Sequence, residues 1–303
     1  MDGILNIDKP VGMTSFDVVA RIRKLTKIKK VGHAGTLDPD ASGVLPVCIG
    51  RATKIIEFLM DKDKTYVVGL SLGRATDTQD ASGNTLYEKP VLHNDTEIVE
   101  VIKSFIGRRE QIPPMYSAVR VNGQRLYELA RKGIEIDRKP RTVTFHRIDI
   151  TDIVRQQDRV NVTMLVECSK GTYIRTLCHD IGERLNCGGH MFSLRRIKSG
   201  PFFIEDSYAL EKLEELKDQN NLASAITEID KVLLHFPEIN LTVSDAMKLK
   251  NGLVLPGKGL IPGYIRVYCG NTFLAVGKVF EKEDKKVLKT YKWINLNWPE
   301  RMN

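Results

Sequence analysis

The chain has 303 residues, enough to bury a substantial core and to hold two domains, and its apolar and charged shares, 42% and 28%, are those of an ordinary soluble protein. No apolar run reaches the length of a membrane span, no basic flank with an apolar core marks a signal peptide, and five cysteines without framework spacing suit a reducing cytoplasm. The net charge of +8 is unevenly spread: residues 103–147 hold eleven Lys/Arg against four Asp/Glu and residues 237–303 eleven against six, two basic zones on a slightly acidic body, as in a protein that grips a polyanion at two places.

In chain order, Ile4-Leu5-Asn6-Ile7 is predicted as a short strand and Asp8-Lys9-Pro10-Val11-Gly12 as a turn. Thr14 is placed to cap a helix, with Asp17 three residues on in a capping-box position. Val18, Ile22 and Leu25 then share one helical face, while Arg21, Arg23, Lys24 and Lys27 lie elsewhere. Val31 to Gly43 follows as a loop, because three glycines and a proline in thirteen residues exclude a regular helix or a central strand. It carries His33, Asp38 and Asp40 and runs into Val44-Leu45-Pro46-Val47-Cys48-Ile49, which reads as a buried strand. A rigid loop anchored on a core strand is a good place to present one reactive group, and Asp38, with Pro39 fixing the exit of its turn, is the candidate. On this stretch alone the simpler reading comes first: a glycine-rich connector whose Asp38 caps its own turn.

Further on, a helix is predicted near Ala52–Met60, a strand over Thr65–Leu72, a polar loop over Gly73–Gly83 with Asp77 and Asp80, and a helix over Thr96–Ser104. Gly107 to Tyr116 reads as an irregular basic segment, Ser117–Val121 as extended, Asn122-Gly123 as a turn and Arg125–Lys132 as a short helix. Arg141–Val154 and Asp158–Cys168 alternate like paired strands. After a turn at Lys170-Gly171-Thr172, an apolar stripe of Ile174, Leu177, Cys178, Ile181 and Leu185 has helical spacing. Ala209–Leu216 is predicted helical, His235-Phe236-Pro237-Glu238 reads as a linker, and Ser244 is expected to cap a short helix that stops at Gly252. Short strands and turns make the remainder a small all-β module. Hairpins mixed with helices, without regular βαβ alternation, predict an α+β fold.

Several chemistries find no support. There is no Gly-x-x-x-x-Gly-Lys-Ser/Thr or Gly-x-Gly-x-x-Gly phosphate cradle and no Gly-x-Ser-x-Gly elbow. Cys178 belongs to the apolar stripe, and the Cys187/His190 pair supplies too few ligands for zinc, so no metal is expected. What remains is a set of polar residues on loops and strand ends: Asp38, Tyr66, Asp80, Tyr116, Tyr173 and Arg175. An arginine beside a carboxylate keeps it ionised, as a nucleophile must be, and tyrosines near it suit an extruded base. These residues alone do not assemble the site; Tyr66 also reads as a core tyrosine and Arg175 as a solvated arginine.

Gly32-His33-Ala34-Gly35-Thr36-Leu37-Asp38-Pro39-Asp40-Ala41-Ser42-Gly43-Val44-Leu45-Pro46 resembles the catalytic motif of the TruB family, the bacterial tRNA pseudouridine-55 synthases. Four further stretches agree in order: Lys9 to Ser15, Lys64-Thr65-Tyr66, Pro113 to Ala118, and Ser169 to Thr176. The resemblance is specific from residue 4 to about 200, weaker over 200–235, and in the C-terminal module rests mainly on position and size. It implies a pseudouridine synthase catalytic core over 1–236, with a mixed, mainly antiparallel sheet and a basic RNA-clamping insertion at about 107–140, then a PUA-like RNA-binding β domain over 237–303. It implies that Asp38 is the nucleophile and that Tyr66, Tyr173, Arg175, His33, Asp80 and Lys9 bind substrate. Within that set Arg175 pairs with the aspartate, Tyr66 packs on the base, and His33 fills the space of flipped-out nucleotides.

The implied reaction is isomerisation of a T-loop uridine of tRNA: the C1′–N1 bond breaks and a C1′–C5 bond forms after the extruded base rotates. Asp38 attack at C1′, attack at C6 and a glycal route all stay open. The family resemblance further implies a cytoplasmic monomer acting on tRNA without cofactor, metal, membrane or guide RNA, with a secondary tRNA-folding role. A non-catalytic RNA-binding protein, a base-excising glycosylase and a guide-RNA-dependent synthase are the competing readings.

Overall fold

A computed structural model of the chain describes residues 1–117, 119–121 and 123–299, without the side chains of Arg120 and Arg125. The Asn122 half of the expected Asn122-Gly123 turn therefore lies outside the described residues. The strands are β1 (Gly3–Lys9), β2 (Val31–His33), β3 (Ala41–Ile49), β4 (Lys64–Leu72), β5 (Arg74–Thr76), β6 (Thr85–Glu88), β7 (Gly107–Gln111), β8 (Arg120–Val121), β9 (Gln124–Arg125), β10 (Arg141–Arg155), β11 (Val160–Cys168), β12 (Gly189–Ser199), β13 (Phe202–Phe203), β14 (Ile226–Thr227), β15 (Glu238–Asn240), β16 (Leu255–Pro256), β17 (Gly263–Cys269), β18 (Thr272–Lys282) and β19 (Lys285–Trp293). The α-helices are α1 (Ser15–Thr26), α2 (Ile56–Met60), α3 (Asp95–Lys103), α4 (Leu126–Ala130), α5 (Ile174–Arg184), α6 (Leu210–Asp218) and α7 (Val243–Lys250).

Among the described residues ten strands form the larger sheet, along the path β14-β1-β3-β12-β4-β11-β10-β7, with β2 on β3 and β13 on β12. Only the β3–β12 pairing in it is parallel, so the sheet is mixed and mainly antiparallel, as expected. Strand alternation sorts its two faces. Leu5, Ile7, Leu45 and Val47 point into a core shared with α1, α5 and α6, whereas Ile4, Val44 and Cys48 point into a second cluster with Phe58, Val232 and Leu233. The smaller sheet, β15-β17-β18-β19-β16, is built after Pro237. It is not packed on its own core alone, because its Val276, and Ile294 just past β19, join the second cluster.

The helix ends follow their local chemistry. Thr14 caps α1 with a full capping box to Asp17, and Asn94 caps α3 in the same way with Glu97. The predicted stripe of α5 is buried throughout. At α7 the cap is Thr242, not Ser244: the Thr242 hydroxyl accepts from the Asp245 amide at 3.2 Å, which starts the helix two residues earlier.

Three expectations are corrected by long-range pairing. Gly107–Gln111 is an edge strand paired with β10 rather than an irregular segment; its polar side chains gave no alternation to read. Val31–His33 and Ala41–Gly43 belong to strands rather than to the loop, which shortens to residues 34–40. Gly43 can sit there because the neighbouring backbone comes so close that a Cβ on it would lie 2.2 Å from the Arg196 carbonyl oxygen. The expected linker at 235–238 is packed: the Phe236 ring lies 5.2 Å from that of Phe58, and the Pro237 carbonyl accepts from the Arg266 amide at 2.8 Å.

Candidate active site

Residues 34–40 join β2 to β3 and are held from two sides. From the N-terminal side, Ser15 Oγ accepts from the Leu37 amide at 2.9 Å and donates to the Leu37 carbonyl at 3.0 Å, and the Gly12 amide donates to the Pro39 carbonyl at 2.9 Å. Lys9 is fully buried, with its ammonium on the carbonyls of Pro10, Met13 and Pro39. From the sheet side, Arg196 of β12, 1% exposed, donates to the carbonyls of Gly35, Thr36 and Val44 at 3.1, 3.4 and 2.7 Å. Backbone that a loop would ordinarily leave to water is thereby paired with fixed donors, and the Asp38 side chain is presented from a rigid frame.

That side chain opens onto a cavity of about 270 Å³, lined also by Tyr66, Tyr173, Arg175, Lys64 and Arg196. Ligand pockets run from roughly 300 Å³ upward, so this one suits a single small group rather than a folded strand. Arg175 Nε lies 3.1 Å from an Asp38 carboxylate oxygen. The same guanidinium donates to the Tyr116 carbonyl at 2.7 Å and the Thr78 carbonyl at 3.3 Å, and sits 3.4 Å from the Asp80 carboxylate. Arg175, buried at the start of α5, therefore joins the loop, the Asp80 turn and the basic segment.

The electrostatics differ from a simple ion pair. The Asp38 side chain keeps 41% of its surface accessible through the cavity mouth. Burial of the rest nonetheless pushes its pKa up; Arg175 pulls it down, and Asp80 and Asp40 add to the rise. Burial raises the Tyr66 hydroxyl above its ordinary value, so it is protonated at neutral pH. Burial and Arg196 together push the Lys64 ammonium down to about 8.

Of the residues the sequence singled out, Asp38, Tyr66, Tyr173 and Arg175 meet in the cavity wall. Asp80 stands behind Arg175, with its carboxylate also accepting from the Thr78 and Ser82 hydroxyls at 2.7 and 2.6 Å. His33 lies at the end of β2, outside that wall, against the ring of Phe16. Lys9, expected at the substrate, instead spends its donors on backbone carbonyls and is a strut of the frame. Two contributors were not foreseen. Arg196 sits in a stretch, Arg195-Arg196-Ile197-Lys198, that reads as basic surface. Gln111, buried at the end of β7, accepts from the Tyr173 amide at 2.8 Å and donates to the Tyr173 carbonyl at 2.9 Å, which fixes the entry to α5.

The chain matches the family model "TruB family pseudouridylate synthase (N terminal domain)" over residues 23–174, which includes Asp38, Tyr66 and Tyr173. The adjoining residues 175–236 match the tRNA pseudouridylate synthase B C-terminal domain. The chain belongs to the TruB family. It is 49% identical over 283 residues to tRNA pseudouridine synthase B of Clostridium kluyveri, covering 91% of this chain and 95% of that protein. To tRNA pseudouridine synthase B of Bacillus subtilis it is 45% identical over 258 residues, 84% of each. Among solved structures, a chain of a Cbf5-Nop10-Gar1 complex superposes with a TM-score of 0.73 at 29% identity, covering 96% of this chain and 84% of that one. A chain of an H/ACA RNP bound to a substrate RNA containing 2′-deoxyuridine gives 0.72 at 27% identity, with 96% and 84% covered. With 96% of this chain covered, these superpositions take in the larger sheet and the smaller β unit together. None of the helices among the described residues is long and apolar enough to cross a membrane.

Proposed function

We propose that the chain isomerises uridine to pseudouridine in the T loop of tRNA, at position 55, with Asp38 as nucleophile. The observation that carries this is the Asp38 carboxylate, held 3.1 Å from Arg175 on the wall of a cavity it shares with Tyr66, in a member of the TruB family. The names of the relatives supply tRNA as the substrate.

The residues divide the work as follows. Asp38, ionised, attacks the sugar or the base of the extruded uridine or promotes loss of the C2′ proton. Arg175 orients the carboxylate and favours its charged form. The Tyr66 ring packs on the base while its protonated hydroxyl is available for proton transfer, and Tyr173 closes the other side. His33 enters the vacated stack as a neutral ring, since burial and Arg196 push its pKa down. Extruding a stacked base costs a few kcal/mol, which ring packing of this kind offsets. The basic residues of 107–140 and 237–303 take the phosphates, and the first of these zones is tied to the site through Tyr116 and Gln111.

We further propose a cytoplasmic monomer that needs no guide RNA and also assists tRNA folding; in its support, relatives named for tRNA alone are matched over most of their length. The test is to incubate the pure protein with an unmodified tRNA transcript and analyse the nucleosides. Pseudouridine without free uracil supports the isomerase, free uracil indicates a glycosylase, and unchanged tRNA indicates a binding protein.

A further inference from the structure

Phe16, the second residue of α1, keeps 63% of its surface exposed, while Ser15, Val18, Val19 and Ile22 of the same helix are buried. A single exposed apolar side chain is ordinary, but this ring lies against a residue of the proposed site. It meets the imidazole of His33 edge to face, with centroids 5.2 Å apart and planes at 82°. That imidazole has a buried Nδ1 with no hydrogen-bond partner among the described residues, so ring contact is a main support for its orientation. The start of α1 is also fastened to the catalytic loop, through Ser15 on Leu37 and Gly12 on Pro39. Phe16, His33 and Asp38 are therefore carried on one frame.

We infer that Phe16 is a stacking residue of the RNA interface, forming with His33 a two-ring wedge whose free face takes an unpaired nucleobase next to the target uridine. This rests on the proposed reaction, which puts His33 into the stack that the flipped uridine vacates. The ligand chemistry is the face of a base rather than a phosphate: Phe16 carries no charge, and burial and Arg196 hold His33 in its neutral form.

The test compares the full chain with Phe16→Ala, Phe16→Leu and Phe16→Tyr on a tRNA transcript, after thermal melts establish that each variant is folded. Losing the stack lowers kcat/KM by about 5- to 150-fold in Phe16→Ala, the range of a base–aromatic contact. Tyrosine restores it. Leucine still covers His33 but has no π face, so it does not. A transcript with 2-aminopurine beside the target reads the contact without catalysis: its fluorescence is quenched on binding wild type and rises with Phe16→Ala. Full rescue by leucine, equal turnover of Phe16→Ala and wild type, or equal fluorescence with both overturns the inference. Wild type that binds but makes no pseudouridine overturns the proposed reaction instead, and the fluorescence comparison then judges the stack by itself.

Discussion

Replacing Arg196 with methionine keeps much of the side-chain volume and deletes the donors that hold the carbonyls of Gly35, Thr36 and Val44. With Arg196 1% exposed, those carbonyls lose their partner in a place water reaches poorly. Each buried group left unpaired costs about 1–3 kcal/mol. Methionine also spares the chain the desolvation of a charge, which offsets part of the loss. The expected destabilisation is about 3–5 kcal/mol, as when one member of a buried charge network is removed. Urea unfolding followed by circular dichroism measures it as a fall in midpoint at constant slope. The charge acts at a distance too: Arg196 lowers the pKa of His33, so in folded Arg196→Met the imidazole titrates closer to its ordinary value by NMR. A loss under about 1 kcal/mol refutes the claim that this arginine frames the loop.

Binding to tRNA weakens steeply with salt, and neutralising any one phosphate-contacting Lys or Arg in 103–147 or 237–303 flattens the log–log slope by about one unit; a slope near zero removes the role given to the basic zones. Tyr66→Phe keeps the ring and lowers turnover by roughly 10²–10⁴ at unchanged binding if the hydroxyl moves a proton; equal turnover restricts Tyr66 to packing. Ending the chain at Pro237 does more than weaken tRNA binding. It strips Val276 and Ile294 from the cluster holding Ile55 and Phe58 and removes the Tyr264 and Tyr291 rings, so the melting temperature falls and a hydrophobic dye binds. A truncated chain that melts like the full one contradicts the shared core.

Local chemistry was legible where a few neighbouring residues decide the structure. The Thr14–Asp17 box, the α5 stripe and the alternation of β10 and β11 needed no partner to be read. Asp38, Tyr66, Tyr173 and Arg175 were gathered by the family motifs, and the geometry places them in one cavity. The unread part depends on distant partners. β12 lies between β3 and β4, yet its Arg195, Arg196 and Lys198 suggest surface; Arg196 is buried there because carbonyls some 150–160 residues away in sequence accept its protons. Lys9 misleads for the same reason, since a lysine beside a site reads as a substrate contact until its carbonyl partners are seen. Phe236 read as linker because the rings it packs on, Phe58 and Tyr264, come from separate strand and helix segments on either side of it in sequence.

Single-turnover pseudouridine formation by Asp38→Asn tests the central claim most directly. Asparagine can still form the turn and still accept from Arg175, which also keeps the Thr78 and Tyr116 carbonyls and Asp80. Because the Asp38 pKa is raised in the fold, ionising it opposes folding: the stability it lends is present below the ordinary carboxylate value and is lost as pH rises through the folded one. Asp38→Asn therefore melts at or above the wild-type temperature at neutral pH, with no such gain in acid, and binds tRNA at least as tightly. The account predicts that this folded, binding protein forms no pseudouridine. Measurable product from Asp38→Asn, free of wild-type contamination, contradicts it and leaves residues 34–40 a connector.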